Sequence, residues 1–205
     1  MSRRVVLFCG PVDYTLRELY VAEDNDFLVG VDAGLGVLIE AGLKADLAVG
    51  DFDSLPSSYQ TDIKRHADVV IRLDVKKDKT DLAYALAYIY DNMDYDSILV
   101  LGGIGGRIDH FLANVNLLKK YEMTLIDKRH RIELLRKGTH HLDNPYDYVS
   151  FFAVEDVYDL SVKGFDYELD HYYLSTADSL CVSNRGSGDV AFAKGRLLVV
   201  CSNDR

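Results

Sequence analysis

Tryptophan is absent from this 205-residue chain, and proline and cysteine occur three times each. The cysteines, Cys9, Cys181 and Cys201, are odd in number and far apart. That excludes a disulfide framework, and their spacing suits no zinc site. Three reduced thiols fit a cytoplasmic protein. Long hydrophobic runs are missing too. The N-terminal run Val5–Cys9 falls short of a signal-peptide core, and no stretch approaches the roughly 18 apolar residues of a membrane helix, so no membrane role is expected. Basic charge is scarce, with 23 Lys and Arg against 33 Asp and Glu, for a net charge of −10. Proteins that grip nucleic acid by its phosphates carry a basic footprint, so no nucleic-acid partner is expected. There is no internal repeat and no low-complexity segment.

What the chain does have is aspartate, 26 of its 33 acids. Aspartate forms helices poorly but serves well in turns, at caps and as a hard-metal ligand. Short β-rich runs at Val5–Cys9, Phe27–Val31, Leu47–Val49, Val69–Leu73 and Ser97–Leu101 alternate with helical patterns at Leu35–Ala41, Ser58–Ala67, Leu82–Met93 and Asp109–Lys120. In the third of these helices Leu82, Leu86, Ile89, Tyr90 and Met93 share one face, with Thr80 as cap and Asp81 in the first turn. Such alternation predicts a mainly parallel sheet with flanking helices. From about residue 124 the texture changes to short β-like runs (Thr124–Ile126, Ile132–Leu135, Tyr148–Val154, Asp159–Val162, Tyr172–Ser175, Val190–Ala193 and Leu197–Cys201) separated by turns. The expected fold is therefore α/β over residues 1–125, followed by an antiparallel β domain, sandwich- or barrel-like, over residues 126–205. No Pro- or Ser-rich linker divides them.

The chemistry collects where the first-half strands end. Asp32-Ala33-Gly34 follows the second, Gly50-Asp51-Phe52-Asp53-Ser54 the third, Lys76-Lys77-Asp78-Lys79-Thr80-Asp81 the fourth, and Gly102-Gly103-Ile104-Gly105-Gly106-Arg107-Ile108-Asp109-His110 the fifth. In a parallel sheet all four emerge at the carboxyl edge, where open α/β sheets bind ligands. Glycines before a helix let the backbone approach a phosphate, and Arg107 can hold one bidentately. Clustered carboxylates need a cation between them, and Mg²⁺ takes hard oxygens while bridging to substrate phosphates. The set points to Mg²⁺–nucleotide binding and phosphoryl-type transfer. Singly, an aspartate at a strand end is commonly a turn residue, so the convergence carries the reading. No Walker A loop, G-x-G-x-x-G or G-x-S-x-G elbow is present. His110 and His140-His141 read as capping, structural or exposed residues.

These four segments, in this order, resemble the thiamine pyrophosphokinase family in its bacterial form. So do Leu112-Ala113-Asn114 in the following helix and, more loosely, Ser183-Asn184 near the end of the β-rich part. The resemblance implies transfer of a pyrophosphoryl group from ATP to the hydroxyl of thiamine, giving thiamine diphosphate and AMP. It also implies a need for Mg²⁺ and a homodimer in which the β domain helps bind the acceptor. By that pattern Asp51, Asp53 and Asp81 hold Mg²⁺ and the phosphates, with Asp78 close by, and Asp32 lies beside the reacting hydroxyl. Thr80, Gly105, Gly106, Arg107 and Asp109 hold the nucleotide, and Ser183 and Asn184 contact thiamine. The chain departs from the pattern in two places. The family's Asp-Gly-Gly-Ala-Asn is Asp32-Ala33-Gly34-Leu35-Gly36 here, and Arg185-Gly186-Ser187-Gly188 follows Asn184 where the family often has Glu. Both touch the acceptor side, which leaves open a diphosphotransferase or hydrolase with another acceptor, and a non-catalytic nucleotide sensor.

Overall fold

The structure, a computed structural model, describes residues 3–10, 12, 15 and 18–204. The chain divides into two compact units, Met1–Lys128 and Arg129–Arg205.

The first unit carries strands β1 (Arg4–Phe8), β2 (Phe27–Val31), β3 (Ala45–Gly50), β4 (Ala67–Arg72), β5 (Ser97–Leu101) and β6 (Thr124–Ile126). Its helices are α1 (Gly34–Glu40), α2 (Ser57–Gln60), α3 (Ile63–His66), α4 (Asp81–Asn92) and α5 (Ile108–Leu117). The strands lie in the order β4-β3-β2-β1-β5-β6, and every neighbouring pair is parallel. The chain thus works outward from β1 to β4, then returns to place β5 on the other side of β1. That reversal makes β1 and β5 the switch point, and the crevice at their carboxyl ends is where such sheets take ligands. Val5, Val6, Leu7 and Phe8 are all buried, as a central parallel strand covered on both faces requires.

Helix α4 forms for the expected reasons. The hydroxyl of Thr80 accepts from the Ala83 N–H at 3.2 Å, and Asp81 stands in the first turn. Its buried face is Leu82, Ala85, Leu86 and Ile89, while Tyr90 points outward at 61% exposure, edge-on to Tyr121. The single helix expected over Ser58–Ala67 is two short ones, α2 and α3. Asp62 adopts φ −146°, ψ 51° between them, and Ala67 already belongs to β4. Thr124–Ile126 pairs parallel with β5, so it belongs with the parallel strands rather than opening the β-rich part.

The second unit is an antiparallel sheet of β7 (His130–Leu142), β8 (Tyr148–Phe165), β9 (Leu169–Leu174) and β10 (Gly186–Ser202), in the order β7-β10-β8-β9. The sequence reads as shorter pieces because two strands are long and bulged. Tyr148–Val154 and Asp159–Val162 are parts of β8, whose register against β9 shifts between Val157 and Leu160, beside Asp159 at φ 63°. Val190–Ala193 and Leu197–Cys201 are parts of β10, which bends at Gly195. A side chain there would sit 2.4 Å from the Asp156 carbonyl, and φ is +106°. The core of this unit includes Val149, Phe151, Leu160, Phe165, Val190, Phe192, Leu197 and Val199. His140 uses Nε2 to donate to the Arg136 carbonyl and stacks on Phe192, and exposed His141 pairs with Asp189. Among the described residues no helix is long and apolar enough to cross a membrane.

Candidate active site

Three strand ends of the first unit deliver carboxylates to one place. Asp32, directly after β2, has φ 46°, a left-handed backbone that starts the turn into α1. Its N–H donates to the Val49 carbonyl and its own carbonyl accepts from Leu35, so the turn is held at both ends. After β3, Phe52 also adopts a left-handed conformation, φ 63°, and is 1% exposed. Its ring goes into the core with Leu35, Leu38 and Leu55, and the Arg72 guanidinium lies 5.6 Å from the ring centroid. Burying Phe52 leaves the residues on either side, Asp51 and Asp53, free of the core. One Asp51 oxygen accepts from the Asp53 N–H at 3.3 Å, a turn closed by the aspartate's own side chain. Strained non-glycine backbone of this kind gathers at functional sites.

Carboxylate oxygens of Asp32, Asp51 and Asp53 all lie within 4.8 Å of one another. Asp32 is half-buried, and its Oδ1 is buried with no hydrogen-bond partner among the described residues. Burial pushes the Asp32 carboxyl above its ordinary range. Asp81 and Asp51 push the same way, against the Ala33 N–H and the Ser54 hydroxyl. Asp51 is held below the usual carboxylate range, chiefly by its hydrogen bond from Lys77, although burial opposes this. Lys77 Nζ is 2.7 Å from Asp51 and 3.0 Å from Asp81. Burial works against its charge, but the two carboxylates outweigh burial and hold its pKa above the ordinary value.

Asp32, Lys77 and Asp81 border a cleft of about 800 Å³ lined also by Cys9, Ser54, the rest of the segment 77–82 and the loop 102–107. The cleft therefore opens at the β1–β5 switch point. Gly105 and Gly106 have φ 87° and 62° with nothing within 4 Å of where a side chain would stand, so their need is conformational, not steric. Asn114 of α5 donates to the Gly103 carbonyl at 2.9 Å and ties this loop to the helix. Arg107 is exposed, and its guanidinium is paired bidentately with Asp109 at 3.1 and 2.6 Å. An exposed ion pair is screened and weakly held, so an incoming phosphate can open it.

The structure thus gathers Asp32, Asp51 and Asp53, and links Asp81 to them through Lys77. Asp78, Thr80, Gly105, Gly106 and Arg107 stand in the cleft wall, while Asp51, Asp53 and Asp109 are outside it. Lys77 lies in one of the segments singled out from the sequence but receives no role there. Its place four residues before Asp81, inside an acid-rich segment, is the signal that was there to read. Ser183 and Asn184 belong to the second unit. Ser183 has φ 63° and donates its N–H to the Ser150 hydroxyl. Asn184 is 4% exposed, and its carboxamide is occupied by the chain itself. It accepts from the N–H groups of Tyr167 and Arg185 and donates to the Tyr167 carbonyl. Arg185 lies over the Tyr148 ring, 4.9 Å from its centroid.

Residues 19–132 match the model of the thiamin pyrophosphokinase catalytic domain, and residues 129–195 that of the thiamin pyrophosphokinase vitamin B1 binding domain. The thiamine pyrophosphokinase of Bacillus subtilis is 33% identical over 193 residues, 89% of this chain and 90% of that one. A crystal structure of thiamine pyrophosphokinase from Bacillus subtilis superposes with a TM-score of 0.88 at 30% identity, covering all of both chains. One of thiamin pyrophosphokinase from Geobacillus thermodenitrificans gives 0.84 at 34% identity, over all of this chain and 98% of that one. Two family models that between them run from residue 19 to 195, with relatives matched end to end, place this chain in the thiamin pyrophosphokinase family.

Proposed function

We propose that this protein is a Mg²⁺-dependent thiamine diphosphokinase of the cytoplasm, transferring a pyrophosphoryl group from ATP to the hydroxyl of thiamine. Family membership supports the reaction. The observation that carries the site assignment is the trio Asp32, Asp51 and Asp53, with ligand oxygens within 4.8 Å of one another at the carboxyl edge of the sheet. The donor set is all carboxylate oxygen, and one of its atoms, Asp32 Oδ1, is buried without a partner among the described residues. Both features fit a small hard cation. Asp51 and Asp53, with Asp32 or Asp81, would hold Mg²⁺, which supplies charge neutralisation on the phosphates.

In the reaction the acceptor oxygen forms a bond to the β-phosphorus, the bond from that phosphorus to the α–β bridging oxygen breaks, and AMP leaves with the bridging oxygen. The hydroxyl proton must go elsewhere. Asp32, whose carboxyl is pushed up by burial, is placed to accept it or to orient the hydroxyl. Positioning does most of the work in such transfers, because a primary alcohol is a weak acid. The Gly105–Gly106 turn and the start of α5 receive the phosphates, Arg107 exchanges Asp109 for a phosphate oxygen, and Asp78 and Thr80 line the same wall.

The second unit is assigned to the acceptor and to self-association as a homodimer. Ser183 is the residue offered to thiamine. Asn184 contributes by fixing Tyr167 and Arg185 around it, since its carboxamide is spent on them.

The test incubates purified protein with Mg²⁺–ATP, with and without thiamine, and resolves products by chromatography. Thiamine diphosphate and AMP in equal amounts, dependent on thiamine and Mg²⁺, are expected. Asp51→Asn should abolish them while leaving the circular dichroism spectrum unchanged. AMP without a thiamine product would move the reaction to another acceptor, and ADP or phosphate would overturn diphosphate transfer.

A further inference from the structure

Lys77 is the one feature of the carboxylate site that metal binding does not explain. Its ammonium is 2.7 Å from Asp51 Oδ2 and 3.0 Å from Asp81 Oδ1, and the lysine side chain is only 12% exposed. Asp51 is also a member of the three-carboxylate cluster. The ammonium and a divalent ion therefore need the same carboxylate. From these contacts we infer that Lys77 is the resident cation of the site: it holds Asp51 and Asp81 together, competes with a bare divalent ion for Asp51, and gives way when the triphosphate arrives.

Resting on the metal reading above, this makes metal and nucleotide binding interdependent. A bare ion has to displace an ammonium that then has no new partner. An ion arriving with the triphosphate brings anionic oxygens to which the ammonium can turn. Lysine suits that exchange, because it is a point charge on a flexible stem with three rotatable donors and binds phosphate without demanding one geometry. Lys77, Asp78, Lys79 and Thr80 all line the cleft, so the ammonium's route to a ligand there is short. The coupling is reciprocal: whatever the nucleotide adds to metal affinity, the metal adds to nucleotide affinity. The lysine thus acts as a positioning residue that keeps the site compact and empty of stray divalent ions until the substrate complex is offered.

The experiment uses the metal-stripped full chain and measures Mn²⁺ retained on equilibrium ultrafiltration. It is run with and without α,β-methylene ATP, which cannot be cleaved at the bond the reaction breaks. Removing a competing charge in a partly screened site should tighten binding of Mn²⁺ alone in Lys77→Met by about tenfold or more. The extra Mn²⁺ affinity conferred by the analogue should shrink by the same factor. Lys77→Gln, which is neutral but keeps a hydrogen-bond donor, should behave the same way and serves if Lys77→Met does not fold. Unchanged or weaker binding of Mn²⁺ alone in the neutral variants would overturn the inference and leave the metal site standing. If neither wild type nor variants retain Mn²⁺ under either condition, the metal reading itself falls, and this inference with it.

Discussion

Replacing Asp32 by asparagine should stabilise the metal-free protein while disabling it. Asp32 stands with Asp51 and Asp53 inside a 4.8 Å group of carboxylate oxygens. At that distance two unit charges repel by about 3.5 kcal/mol in a medium of effective dielectric near 20. Much of this is relieved, since Lys77 neutralises Asp51 and the site is open to water. A net gain on the order of 1–2 kcal/mol remains when the Asp32 charge is removed. For a chain of this size that raises the melting midpoint by roughly 3–6 °C. The sign with pH follows from the raised Asp32 pKa. The folded state binds this proton more tightly than the unfolded state, so the wild type loses stability as pH climbs from the unfolded value through the folded one. The advantage of Asp32→Asn should therefore be full above the raised folded value, shrink as pH falls through it, and vanish below the unfolded one. Calorimetry in EDTA across that range reads it directly, and turnover of the same variant should fall by about 100-fold or more. An equal or lower midpoint for Asp32→Asn in EDTA at neutral pH would refute the account of a site strained by its own charge.

Three further outcomes are expected. Phe52→Ala removes a ring that is 1% exposed and should cost about 3–5 kcal/mol in urea denaturation, with loss of activity because that ring fixes how the flanking aspartates leave the core. Gly106→Val meets no atom within 4 Å but forces a branched side chain to φ 62°. It should raise KM for ATP in steady-state assays while circular dichroism stays unchanged, since a left-handed backbone costs an L-residue roughly 1–2 kcal/mol. Asn184→Ala strips the Tyr167 and Arg185 backbone of three hydrogen bonds. It should lower stability by about 2–3 kcal/mol in denaturant titrations and raise KM for thiamine more than KM for ATP.

The first unit was legible in the sequence because its strands are central and parallel. Such strands appear as unbroken apolar runs, and the residues after them are released together at one edge. Val5–Phe8 and the N-terminal cap of α4 could be read locally, since nothing beyond a few neighbours decides them. The second unit was fragmented in the sequence for an equally physical reason. Period-two alternation breaks wherever a strand bulges, and β8 and β10 bulge near Asp159 and Gly195 while their ladders continue on either side. Each of these inner strands is held on both sides by partners that carry the ladder past the break, and partners far along the chain leave no local mark.

The site divides along the same line. The sequence could show that several carboxylates share an edge, because strand ends alone determine that. It could not show how they are apportioned, because that depends on two left-handed residues, Asp32 and Phe52, with no glycine to announce them. Their turns bring Asp32 within ligand distance of Asp51 and Asp53. Asp81 is instead brought to Asp51 through an ammonium. A lysine among aspartates reads along the chain as one more surface charge, and only folding shows that Lys77 is mostly buried and bridges two of them. A carboxylate site that must keep its shape before metal arrives needs a cation of its own, since removing charge altogether would remove the ligands. A tethered ammonium meets that need and can still be displaced, which a salt bridge to arginine, with its rigid bidentate fork, would resist.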